Sequence, residues 1–113
     1  IIPSLSQSFT FRFPPTSLFR SVTVMHGNEN TAIGVNALKF NTEGVKNTAV
    51  GTNSLRDNTE GDFNTALGYD ALQQNTTGVF NTAVGRSAGL YIEGDNNTIL
   101  GAYQGTSADA SLN

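Results

Sequence analysis

The side chains able to move protons or hold a metal are few in this chain of 113 residues. His26 is the only histidine and there is no cysteine. Within one chain this excludes a histidine metal cluster, a zinc finger, a disulfide scaffold and thiol catalysis, and a nucleophile–histidine–acid triad would have to be built on His26. His26 follows Met25 and precedes Gly27-Asn28 with no nucleophile beside it, so it reads as a turn histidine. Glu60 with Asp62, and Glu93 with Asp95, fall on one face of an extended segment, as the carboxylates of a glycosidase or a calcium site would. Each pair brackets a turn glycine, Gly61 or Gly94, and the Gly-Gly-x-Gly-x-Asp calcium repeat is missing, so both read as solvated turn carboxylates. The glycines do not sit between a strand and a helix, which leaves no phosphate loop. Asn75-Thr76-Thr77 and Asn96-Asn97-Thr98 match the glycosylation acceptor pattern, as chance allows in so Asn/Thr-rich a chain. The expectation is no catalytic residue, no metal and no cofactor.

The elements that position the remaining residues can be read from composition. Thirteen Asn, fourteen Thr and twelve Gly make up about a third of the chain, and these are turn and ladder residues rather than helix formers. With 37% hydrophobic residues the core is thin, and the length allows one domain. Six Lys and Arg against nine Asp and Glu give a net charge of -3 without a basic stretch, which speaks against nucleic acid as a partner. No apolar run approaches the ~20 residues that span a bilayer, so no membrane insertion is expected, and the first 29 residues lack the basic start and apolar stretch of a signal peptide.

The main signal is a repeat. Asn30-Thr31-Ala32-Ile33-Gly34 returns from Asn47, Asn64, Asn81 and Asn97, at intervals of 17, 17, 17 and 16 residues. A second signature, Asn-Thr-x-Gly, begins at Asn41, Asn58 and Asn75, with Ala37-Leu38, Ser54-Leu55 and Ala71-Leu72 between the two. The unit is N-T-A-φ-G-x-x-A-L-x-x-N-T-x-G-x-x, φ being Ile, Val or Leu. It is too short for a helical hairpin and lacks leucine-rich spacing, so the fold predicted is all-β: a parallel β-solenoid of about four and a half 17-residue coils. Strand alternation puts Thr and φ on one face and Ala and Gly on the other. Both faces are expected to be buried, φ as an inward apolar plug and Ala/Gly as a close contact between chains. The Asn side chains are expected to form ladders from coil to coil. The fourth unit, Arg86 to Gly94, has lost the second Asn-Thr and one residue, which predicts a bent or terminating coil.

The unit resembles repeats of bacterial surface and phage tail-fibre-like proteins, and is similar in style to the head repeats of trimeric autotransporter adhesins, over residues 30 to 105. The resemblance implies a left-handed parallel β-roll, usually trimeric, in an extracellular fibre.

Residues 1 to 29 do not repeat. Ser8-Phe9-Thr10-Phe11-Arg12-Phe13 alternates with three phenylalanines on one face, and Ser21-Val22-Thr23-Val24 alternates after Pro14-Pro15. They form an extended strand leader that either caps the first coil of its own chain or docks on a neighbouring subunit. Residues 106 to 113 read as a polar tail or linker. Candidate assembly residues are Phe9, Phe11, Phe13, Val22, Val24, Phe63 and Phe80; Phe63 and Phe80, preceded in their column by Lys46, are expected at a subunit contact or a corner packing site. Tyr69, Asp70, Gln73 and Tyr103 line a possible ligand face that could read a glycan. Thr31, Thr48, Thr65, Thr82 and Thr98 form a regular ladder of the kind that could bind ice, against which stands the inward direction expected of φ on the same face. The function expected is a non-enzymatic structural or adhesive segment of an extracellular, cell-surface or virion-surface fibre, whose partner is further copies of itself in a trimer or fibre. A glycan- or ice-binding solenoid module is the alternative.

Overall fold

A computed structural model of the chain describes residues 7–12, 21–26 and 29–105, the first two segments by their backbone strands. Phe13 and residues 106 to 113 lie outside the described residues. The fold is all-β, with no helix among the described residues. Seven strands form one sheet in chain order: β1 (Gln7–Arg12), β2 (Ser21–His26), β3 (Thr31–Gly34), β4 (Thr48–Val50), β5 (Thr65–Leu67), β6 (Thr82–Val84) and β7 (Thr98–Leu100). β3 to β7 are parallel and in register, Thr31 opposite Thr48, Thr65, Thr82 and Thr98 in turn. Each belongs to one turn of a β-solenoid of about four turns. The coils begin at Asn30, Asn47, Asn64, Asn81 and Asn97. β1 and β2 are antiparallel to each other, Phe9 pairing with Val24 and Phe11 with Val22, and β2 runs antiparallel against β3, Val24 opposite Ile33.

The coils close because the Asn that opens each unit points inward. Asn47 Nδ2 donates to the Gly61 carbonyl of its own coil at 2.7 Å, and the Asn64 N–H donates to Asn47 Oδ1 at 2.9 Å, tying each coil to the next. In an extended strand side chains alternate, so an inward Asn at position one requires Ala at position three to face inward and Thr and φ to face out. That corrects the expected direction of φ. Ala32, Ala49, Ala66 and Ala83 are fully buried, whereas Ile33 is 45% and Leu67 47% exposed. The Ala side is therefore interior to one chain and is no contact between chains. A Cβ on Gly34 would lie 2.6 Å from the Gly51 carbonyl oxygen, so the glycine column is closed by its own stack.

The large apolar residue of each coil is Leu38, Leu55 or Leu72, fully buried and held at a positive φ of 49 to 51°. Left-handed backbone costs an L-residue about 1–2 kcal/mol. Complete burial of leucine offsets it at about 1.5–3 kcal/mol. The fourth coil carries Gly89 there, and a Cβ on it would meet Leu72, Ile99 and Ile92 at 3.0 to 3.5 Å. Ile92 and Ile99 thus supply the apolar volume, and the loss of one residue shortens a turn without stopping the stack: β7 still pairs in register with β6. Leu72→Ala is expected to cost about 2–5 kcal/mol, against no more than about 0.5 kcal/mol for Leu67→Ala; urea unfolding midpoints of the two variants check this.

Candidate functional site

Two kinds of ladder run along the stack. Inside, the Asn of each second signature forms a side-chain ladder: Asn58 Nδ2 donates to Asn41 Oδ1 at 2.9 Å and Asn75 Nδ2 to Asn58 Oδ1 at 3.2 Å. Each of these amides also donates to the glycine carbonyl three residues on, Gly61 or Gly78, at 3.0 Å. Three successive N–H groups, of Thr42, Glu43 and Gly44, converge on the Thr59 carbonyl, as those of Thr59, Glu60 and Gly61 do on Thr76. The buried polar side chains are satisfied among the described residues, so the interior is a framework with no free group for chemistry.

Outside, the Thr/φ face is open. Thr31, Thr48, Thr65 and Thr98 are exposed and Thr82 half-buried; beside them run Ile33, Val50, Leu67, Val84 and Leu100, Leu100 being 75% exposed. No charged residue lies in β3 to β7. The Thr ladder is where the sequence placed it, and the inward φ that spoke against a binding role is overturned by the alternation imposed by Asn.

The corner column Glu29, Lys46, Phe63, Phe80 and Asn96 takes left-handed backbone throughout, φ running from 56 to 61°. Phe63 and Phe80 stack on each other with ring centroids 5.0 Å apart and planes 16° apart, and Lys46 Nζ lies 5.2 Å from the centre of Phe63. Both rings are packed by their own chain while keeping 42% and 54% of their surface. On another corner Asn36 donates to Asn53 and Asn53 to Asp70, at 3.1 and 2.9 Å. Arg56 holds Asp57 through two hydrogen bonds of 2.8 and 3.1 Å. The side-chain hydrogen bonding to Asp57 raises the guanidinium pKa above its ordinary value; desolvation opposes it, and the charges of Asp57 and Asp70 add to the rise. Gln73, its amide turned to suit both groups, accepts from the same guanidinium at 2.8 Å.

Of the four candidate ligand residues, Tyr69, Asp70 and Gln73 share one turn, the Gln73 N–H donating to the Asp70 carbonyl at 3.3 Å, and Tyr103 stands apart. Asp70 ends the Asn36–Asn53 row, Gln73 sits against Arg56, and Tyr69 is an exposed turn residue. Tyr103, two coils further along, borders an open groove with Thr98, Ile99 and Leu100 at the end of the stack. The acidic pairs are divided by task. Asp62 Oδ1 accepts the Val45 N–H and Asp95 Oδ1 the Val79 N–H, each at 2.8 Å, so both brace the preceding coil, while Glu60 and Glu93 are exposed. Asn75 of the first acceptor motif is fully buried in the amide ladder, and Asn96 of the second is exposed. His26 is the last residue of β2. Among the described residues no three His, Asp or Glu gather where they could hold a metal ion, and no helix is long and apolar enough to cross a membrane.

Comparison with known proteins finds no matching family model, no similar curated protein and no similar solved structure.

Proposed function

We propose that this chain is a non-enzymatic structural segment of an extracellular fibre, adding copies of itself end to end. The observation that carries the reading is the sheet. It runs from a hairpin through five stacked parallel strands, and among the described residues its two outermost strands, β1 and β7, each have one edge without a neighbouring strand. An open edge offers backbone N–H and C=O groups to another strand. β1 and β7 differ in sequence, so a contact between them is heterologous, and such contacts propagate into open filaments wherever the rotation between copies does not close a ring. The groove beside Thr98, Ile99, Leu100 and Tyr103 supplies an apolar seat at the growing end. The alternating Phe9, Phe11, Phe13 segment, with Val22 and Val24, is the part of the chain suited to fill it.

The chain is expected to sediment as an assembly at micromolar concentration and to show filaments in negative-stain micrographs. Removing residues 1–29 should shorten or dissolve them. A cooperatively folded monomer, with or without the leader, overturns the proposal.

A further inference from the structure

We infer that the outward Thr/φ face of β3 to β7 is an ice-binding surface, its ligand being the ordered water of a growing ice crystal. Five observations converge on it. The side chains form a two-dimensional array: neighbouring strands stand ~4.8 Å apart, and Thr and φ of one strand are two residues, about 6.6 Å, apart. A two-dimensional repeat of this kind is what registry with a crystalline water surface requires. The array is in strict register over all five coils. It holds no charge to orient water radially and break a lattice.

The hydroxyls themselves provide the fourth point. Thr42 and Thr59, in the turns, donate their hydroxyls to carbonyls of the next coil. Thr31, Thr48, Thr65, Thr82 and Thr98 have no such side-chain partner among the described residues. A column of hydroxyls left to water, each with a methyl group beside it and an aliphatic side chain in the same strand, can both hydrogen-bond and cage ordered water. Against a second protein copy the same hydroxyls would be stripped of water, at about 1–3 kcal/mol for each one left unpaired.

Area is the fifth. Five strands of three residues present about 20 by 10 Å, far below the ~800 Å² that each partner of a stable protein interface usually buries. A crystal surface demands only that the repeats match, and every coil then adds one row of contacts.

The test uses the full chain in thermal-hysteresis and ice-recrystallisation measurements at micromolar concentration. The expected result is hysteresis above the buffer value, with facets on crystals grown in its presence. Thr65→Lys and Leu67→Lys, both at exposed positions, should lower it at least tenfold while leaving circular dichroism unchanged; Thr65→Val, which keeps the shape and removes one hydroxyl, should lower it severalfold. Tyr69→Lys, on the adjoining turn, should keep full activity. Hysteresis at the buffer level in the folded chain overturns the inference. So does a lysine variant that changes sedimentation from a lateral pair to single chains without any effect on ice, since the face would then be a contact between copies. Filament formation is scored separately by microscopy, so loss of ice activity and loss of end-to-end assembly are read independently.

Discussion

Asn64→Ala should destabilise the chain by about 1.5–4.5 kcal/mol, because it leaves the buried Asn81 N–H without its acceptor, at about 1–3 kcal/mol, and takes one of two amide donors from the Gly78 carbonyl, at about 0.5–1.5 kcal/mol. Asn64 Nδ2 donates to the Gly78 carbonyl at 2.7 Å, and Asn64 Oδ1 accepts the Asn81 N–H at 2.9 Å. The first bond closes a coil and the second joins it to the next, so one side chain carries both the shape of a unit and its stacking. Set against a typical domain stability of about 5–15 kcal/mol, the loss is a large fraction of the total. Asn64→Asp separates the two bonds. It keeps the acceptor for Asn81 but turns a carboxylate oxygen toward the Gly78 carbonyl, so at neutral pH it should be at least as damaging as alanine. Burial raises the carboxyl pKa in the folded state above its unfolded value near ~3.9, so the penalty grows as pH rises through that value and should vanish below it. Urea unfolding of both variants at pH 4 and pH 7 distinguishes the cases.

Gly51→Ala should be among the most damaging single methyl additions in the described residues. The added Cβ would stand 2.6 Å from the Gly68 carbonyl oxygen and 2.7 Å from its carbon, and the backbone φ there is +130°. The obstacle is backbone in the middle of the stack, which no rotamer change can clear, so either the coils part or the chain fails to fold. Gly101 occupies the same position of the unit in the last coil, at φ +100°, with nothing within 4 Å of an added Cβ. Gly101→Ala therefore isolates the conformational part, about 1–3 kcal/mol. Gly51→Ala should exceed it by more than about 3 kcal/mol, the scale of severe single-residue damage. Melting temperatures of the two alanine variants measure the difference. Equal effects would mean that conformation alone, and not coil spacing, keeps glycine in the column.

Much of this architecture is legible in the residues. The 17-residue interval fixes how far apart equivalent side chains lie along the chain, and a unit rich in Asn, Thr and Gly with a single leucine leaves little besides a stacked coil. The direction of the strand side chains is harder to see from hydropathy, because Ile33 and Leu67 are the most apolar residues of their strands and still face outward, and Leu100 faces outward beside an inward Ile99. The deciding information lies just before each strand, in Asn30, Asn47, Asn64, Asn81 and Asn97. Each is a polar side chain whose burial is required by the bonds it makes, and its inward direction sets the alternation of the whole strand. The left-handed backbone at Leu38, Leu55 and Leu72 has no local signal either, since leucine ordinarily avoids it; the demand comes from the neighbouring coil, whose Ser54, Ala71 and Ala88 carbonyls receive the three leucine N–H groups. Of the candidate surfaces, the Thr column can be read directly from the spacing. The separation of Tyr69 from Tyr103, and the engagement of Gln73 with Arg56, depend on corner geometry that spacing does not encode.

The regularity of the bonds between coils also bears on how such a chain can change over generations. Most of the side-chain bonds join a residue to its counterpart 17 positions on, and most backbone bonds between coils recur at fixed offsets of 16 or 18 residues. Excising one whole unit, residues 47 to 63 for example, would bring residue 64 to the place of residue 47 with most donors facing the same kind of acceptor, the Val45 N–H excepted, since Val79 would replace Asp62. Tandem duplication or loss by unequal recombination is thus close to neutral for folding while it alters length by one strand spacing. The fourth coil shows the other kind of tolerance. It is one residue short in a turn, and Asn97 still donates its N–H to Asn81 Oδ1 at 2.9 Å, across 16 residues. Gene length in this molecule is free to vary in whole turns, and physical length varies with it as on a ruler marked in coils.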